Sequence, residues 1–224
     1  MPLQKLCNKP AVVEQFCVCS QEVQGTNFIT HVGLASEQQC GIKYGDTVKW
    51  THVFSFFRRA EDRVHVIGKI RLSAEERESM DIFITDCEEE IEKIKRFERP
   101  KQFIIFPHKE ERSAERPYCR YSCAGFVLEA YRRIHVTILE EDVIPAQSLD
   151  FLDEYYPGLA ECSIKEREAL GLIGTGPWRV VLPGYVLNAF NRSEKKIRQE
   201  PFRPKVSHSF FREPFSLKDV VFCG

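Results

Sequence analysis

The chain has 224 residues with 43% hydrophobic and 12% aromatic content, which suits one domain with an insertion or a small extension. Its 32 basic and 33 acidic side chains leave a formal net charge of −1, so general nucleic-acid binding is not expected. Nine cysteines without a CxxC pair, and no apolar run of signal or membrane-span length, point to free thiols in a reducing, cytoplasmic setting and away from a disulfide framework, a metal site or a membrane protein.

In chain order, "AVVEQFCVCSQ" from Ala11 and "NFITHVGLAS" from Asn27 are rich in β-formers and predict strands. "GIKYGDTVKWTHVFSFF" from Gly41 predicts one or two more, with Gly45 at a bend, and "RVHVIGKIRL" from Arg63 alternates as a strand does. The pattern then changes. Ser73 and Glu76 form a capping box, and the segment over 73–97 predicts a long helix that Pro100 cannot continue. "KQFIIFP" is a short apolar segment, and "HKEERSAERP" is a charged, exposed loop. In "YSCAGFVLEAYRRI", Phe126, Val127, Ala130, Tyr131 and Ile134 recur at helical spacing. Short helices are expected in "SLDFLDEYYPG" and "SIKEREALGLIG", followed by "WRVVLPGYVLNAF". The expected division is one domain over 1–190, with a helical insertion at about 73–97, and a C-terminal arm over 191–224 packed on the body.

Cys123 falls at the N-terminus of the central helix, where unpaired N–H groups and the helix dipole favour a thiolate. That position suits a nucleophile, provided a base is near. Of the six histidines, His135 lies roughly 18 Å down the helix axis from Cys123, too far to act. His208 sits in the tail without a strand to fix it. His31 is better placed, since it shares a strand face with Gly33 and Ala35, which leave room above the sheet. If residues 37–40 form a tight hairpin turn, Asp46 stands directly opposite His31 and orients its imidazole. A longer loop brings in His52 or Glu37 instead.

"YSCAGFV" resembles the nucleophile motif of NlpC-like papain-fold cysteine peptidases, Tyr-Asp-Cys-Ser-Gly-Phe-Val. Tyr121, Cys123, Gly125, Phe126 and Val127 match, while Ser122 and Ala124 depart from it. "THVGLAS" resembles the histidine strand of the same superfamily, but here it precedes the cysteine. That order resembles the circularly permuted branch of YaeF/YiiX-like proteins, which includes a poxviral relative and, more distantly, the lecithin:retinol acyltransferase group. The resemblance covers about residues 25–190.

It implies an α+β, papain-like fold in which the cysteine helix packs on an antiparallel sheet. Cys123 would be the nucleophile, His31 the base, a polar residue such as Asp46 on the following strand the orienting group, and Tyr121 a helper at the oxyanion. The implied activity is a thiol hydrolase or acyltransferase acting on an amide, ester or thioester of an acyl, peptide or lipid substrate, with no cofactor. Two other readings stand beside it. One is a catalytically silent papain-like module that binds a protein or lipid. The other is a redox protein using Cys119 and Cys123.

Overall fold

The strands of the main sheet come first along the chain and the helices after them. A computed structural model of the chain describes residues 4–5, 17–22, 29–36, 49–52, 55–58, 64–68, 70–94 and 103–204. Its strands are β1 (Gln4–Lys5), β2 (Cys17–Glu22), β3 (Ile29–Ser36), β4 (Lys49–His52), β5 (Ser55–Arg58) and β6 (Val64–Gly68). They form one antiparallel sheet in the order β1-β6-β2-β3-β4-β5. β3 is central, with β2 and β4 as neighbours. Val32 and Leu34, two residues apart on β3, are fully buried, as one face of a half-covered strand requires.

The β3–β4 register differs from the tight hairpin expected. Leu34 pairs with Thr51, Ala35 with Trp50 and Ser36 with Lys49. β4 therefore starts beyond Asp46, and the expected pairing of His31 with Asp46 is corrected. The polar residues 37–40 suggested a turn, but the stretch that joins the sheet is "KWTH", whose Trp50 and Thr51 suit a pleated surface. Asp46 and Glu37 themselves lie outside the described residues.

The helical half opens with α1 (Ala74–Lys93). Its capping box is formed as the sequence suggests. The Ser73 N–H donates to Glu76 Oε2 at 2.8 Å, and the Glu76 N–H donates to Ser73 Oγ at 3.2 Å. Met80, Phe83, Ile84 and Cys87 make its buried stripe. Residues 95–97 of the expected helix lie outside the described residues. After Phe103, the Ile104 N–H reaches the Tyr121 carbonyl and the Ile105 N–H reaches the Leu170 carbonyl. A short ladder of β7 (Lys109–Glu110) with β8 (Arg120–Tyr121) closes the charged loop between them.

The central helix is α2 (Cys123–Arg132), and every residue from Cys123 to Tyr131 is buried. It packs on β3, α1 and α5 (Pro183–Phe190). Phe83 of α1 meets Phe126 with ring centroids 5.4 Å apart. Between α2 and α5 lie α3 (Leu149–Tyr155), capped by Ser148, and α4 (Ile164–Ala169), with a full capping box from Ser163 and Glu166. Pro183 opens α5, where its missing N–H costs nothing. In the segment after residue 190, α6 (Glu194–Gln199) buries Ile197 and pairs Arg198 with Glu76 of α1 at 2.8 Å. The fold is thus mixed α and β, with α2 held between the sheet and the other helices.

Candidate active site

The first turn of α2 explains the small residues after Cys123. Ser122 is the N-cap, and its Oγ accepts the Gly125 N–H at 3.0 Å. The Ser122 N–H donates to the His108 carbonyl, also at 3.0 Å. That same carbonyl lies so close to Gly125 that an added Cβ would sit 1.9 Å from its oxygen. The backbone at 108 therefore rests directly on the helix start, and residue 125 has no room for a side chain.

Two first-turn N–H groups, those of Cys123 and Ala124, point at the Cys123 sulfur. A third donor to it is the Val32 N–H of β3. Among the described residues, β3 pairs with β4 over Leu34–Ser36. The Val32 amide belongs to the peptide bond that leaves His31. His31 is half-buried. α2, headed by Cys123, packs on β3, the strand that carries His31.

The electrostatics differ from the expectation. Cys123 is only 1% exposed. Burial pushes its thiol up to about 11, and the three N–H donors only moderate that rise. The helix terminus does not make a resting thiolate, because desolvation of the sulfur outweighs the partial charges around it.

Tyr121 stands elsewhere. Its ring packs edge-on against Phe83 and Phe126, and its raised phenol pKa reflects burial, then Cys87 and Cys119. Its hydroxyl belongs to that cysteine pair, and the oxyanion role expected for it has no support in this placement. Cys119 also approaches a carboxylate oxygen of Glu111 at 3.7 Å. Cys87, Cys119, Cys123 and Cys162 are free thiols.

Two backbone positions bear on the orienting group. On the observed register His52 falls level with Gly33, two residues from the level of His31. Gln21 of β2 pairs directly with His31, a partner that sequence reasoning missed because the β2–β3 ladder contains a bulge between Gln21 and Glu22. A second histidine, His108, has its Nε2 3.1 Å from a Glu141 oxygen. Its charged neighbours include Glu141, Arg132 and Glu129, while its backbone carbonyl meets the start of α2. Sequence reasoning also passed over Tyr156. Burial, then the charge of nearby Cys123, raises its phenol pKa.

Among the described residues, no cluster of three or more His, Cys, Asp or Glu is arranged to hold a metal ion, and no helix is long and apolar enough to cross a membrane. No protein-family model matches the chain, and no curated protein or solved structure matches it.

Proposed function

We propose that the protein is a thiol hydrolase or acyltransferase of permuted papain-like, NlpC-type build, with Cys123 as nucleophile and His31 as base. The observation that carries this reading is the packing of α2, with Cys123 at its head, on β3, the strand that carries His31. The resemblance of "YSCAGFV" and "THVGLAS" to the two motifs of that superfamily points the same way.

Because the resting thiol is neutral, His31 removes its proton as the sulfur attacks. The sulfur–carbon bond forms, the carbonyl electron pair moves to oxygen, and collapse expels an amine, alcohol or thiol that takes the proton from His31. Water or an acceptor then attacks the acyl-enzyme, gives its proton to His31 and restores the thiol. His52, at the end of the strand after the histidine, is the group proposed to orient the imidazole. A diagonal position across an antiparallel ladder lies within reach of a long or aromatic side chain. The reaction as proposed needs no cofactor, and its setting is cytoplasmic.

The test is labelling with amide, ester and thioester acyl probes, read by intact mass. Wild type is expected to form an acyl adduct at Cys123. Cys123→Ala should form none, and His31→Ala should react about 100-fold or more slowly. Equal probe turnover by wild type and Cys123→Ala would sink the proposal. One observation favours a second reading: a sulfur this buried and this firmly protonated also suits a silent papain-like scaffold that binds a protein or lipid.

A further inference from the structure

The segment from Phe103 to Glu110 wraps around the residues that lead into α2. Phe103 bridges Tyr121, the Ile104 N–H donates to the Tyr121 carbonyl at 3.1 Å, and Lys109 also pairs with Tyr121. The Ser122 N–H donates to the His108 carbonyl at 3.0 Å, and the same carbonyl presses on Gly125. The segment therefore meets α2 at residues that stand before and after Cys123 in the chain. Its other side meets the turn after α4, where a Cβ added at Gly171 would lie 1.5 Å from the Phe106 carbonyl oxygen. A glycine on each side makes room for this backbone.

Both ends of the segment are fixed. Ile104 and Ile105 are fully buried, and the Ile105 N–H donates to the Leu170 carbonyl at 2.9 Å. Glu110 is held by Arg116 at 2.7 Å and by Arg120 at 3.1 Å. Residues 106–109 between them are only half-buried. Two side chains fasten them. His108 Nε2 lies 3.1 Å from a Glu141 oxygen, and Lys109 Nζ lies 3.1 Å from Glu129 Oε1 on α2. β3, which also packs on α2, is an interior strand of the sheet with Val32 and Leu34 fully buried. Local opening takes the segment with the least buried apolar surface, so residues 106–109 open before β3 does.

Cys123 is 1% exposed, so an acyl compound reaches its sulfur only after such an opening. We propose that residues 106–109 are a gate over the head of α2, hinged at Ile105 and Glu110 and latched by His108 on Glu141, and that Cys123 reacts when this gate opens. The role of the gate in acyl transfer rests on Cys123 being the nucleophile; its opening does not. Opening breaks the His108–Glu141 pair and the bond from the Ser122 N–H. The Phe126 N–H keeps its bond to the Ser122 carbonyl, so the helix stays formed.

The test follows iodoacetamide alkylation at Cys123 by mass spectrometry, together with amide exchange at Ser122 and Phe126 by NMR, in wild type and His108→Ala. The variant keeps the carbonyl at 108 and loses the latch. Alkylation and Ser122 exchange are expected to rise together, about fivefold, with Phe126 exchange unchanged. Unchanged alkylation overturns the inference, whatever Ser122 exchange does. So does a rise in Phe126 exchange by the same factor, which would mean that the helix itself frays. If His108→Ala fails to fold, wild type alone decides. Alkylation through the gate should change little in urea well below the unfolding midpoint, and a rate that climbs with the slope of global unfolding overturns the gate. Acyl-probe labelling keeps the two readings apart. Alkylation that rises with Ser122 exchange supports the gate even where no acyl adduct forms at Cys123, an outcome that fails the nucleophile reading alone.

Discussion

At its N-terminal end α2 buries Cys123 among backbone N–H groups, and less than two turns further on it buries Glu129 among cations. Burial acts on both groups first and in the same direction, favouring the protonated form. The outcomes are opposite. Cys123 is pushed up to about 11, whereas Glu129 is held below the usual carboxylate range. Around Glu129, Lys109 Nζ stands at 3.1 Å, Arg132 at 2.9 Å and Arg133 at 3.0 Å. Among the described residues, the groups that favour the charged form of Cys123 are backbone dipoles, and the end of a helix amounts to roughly half a charge. Full charges at contact distance overcome desolvation, and partial charges do not. The comparison teaches that a helix N-terminus alone leaves a buried cysteine as a thiol. Its thiolate must come from a proton acceptor that becomes fully charged as it takes the proton, the part proposed for His31.

The largest expected effect follows from removing the charge on the Glu129 side. Glu129 is 4% exposed and Lys109 is mostly covered. Glu129→Gln leaves Lys109 with Glu111, and Arg132 with Glu141, as their remaining acidic partners. Breaking one member of a buried ion cluster is expected to cost about 3 kcal/mol, read as a lower urea midpoint at an unchanged slope. Pairing it with Lys109→Met should restore part of the loss. A Glu129→Gln protein as stable as wild type would break the comparison, since the cations would then not be what holds that half together.

The Cys123 side should show itself at alkaline pH. Its thiol pKa is about 11 in the native state against 9.0 for the free group. The native state therefore holds this proton more tightly than the unfolded chain. The corresponding stability is fully present below pH 9 and is lost as pH rises through about 11. A rise of this size corresponds to a few kcal/mol at most. Cys87 and the buried tyrosines, also raised, add losses of their own, so the quantity to measure is the difference in alkaline slope between wild type and Cys123→Ala. Alkylation of Cys123 should accelerate about tenfold per pH unit over the same approach to pH 11. A rate already level by pH 8 would show that a full positive charge stands at the sulfur, and the two halves of α2 would then work alike.

Features set by neighbours in sequence were legible. Both capping boxes, Ser73 with Glu76 and Ser163 with Glu166, need only a spacing of three, and both form. The apolar period of α2 and the alternation of β3 were readable for the same reason. The β3–β4 register was not, because it depends on how much chain separates the strands, and no local pattern fixes that. The ionisation of Cys123 was not legible either. Its cover comes from β3 and from the backbone near His108, distant segments whose joint effect on the sulfur cannot be read from "YSCAGFV". Tyr121 looked well placed by sequence distance, yet Phe83 on α1 and Phe126 fix its ring on the side of Cys87 and Cys119.

The smallest effect concerns the cap that joins the two halves into one helix. Ser122 is fully buried, and its Oγ holds the Gly125 N–H at 3.0 Å. Ser122→Ala removes that acceptor but keeps the backbone bonds from the Ser122 N–H to His108 and from the Phe126 N–H to the Ser122 carbonyl. The expected cost is about 1 kcal/mol by urea unfolding. The Gly125 N–H is not among the donors to the sulfur, so the pH profile of Cys123 alkylation should hardly move. Ser122→Asp sharpens the contrast. Its carboxylate can accept the same N–H and is the residue usual in the motif that "YSCAGFV" resembles, but it sets a full negative charge beside the thiol. Alkylation at pH 8 should then slow even if the cap holds, because a full charge of the wrong sign adds to the burial that already keeps the thiol protonated. An unchanged rate in Ser122→Asp would mean that the carboxyl is itself protonated there, and that the N-terminal half of α2 tolerates no charge without a cation of its own.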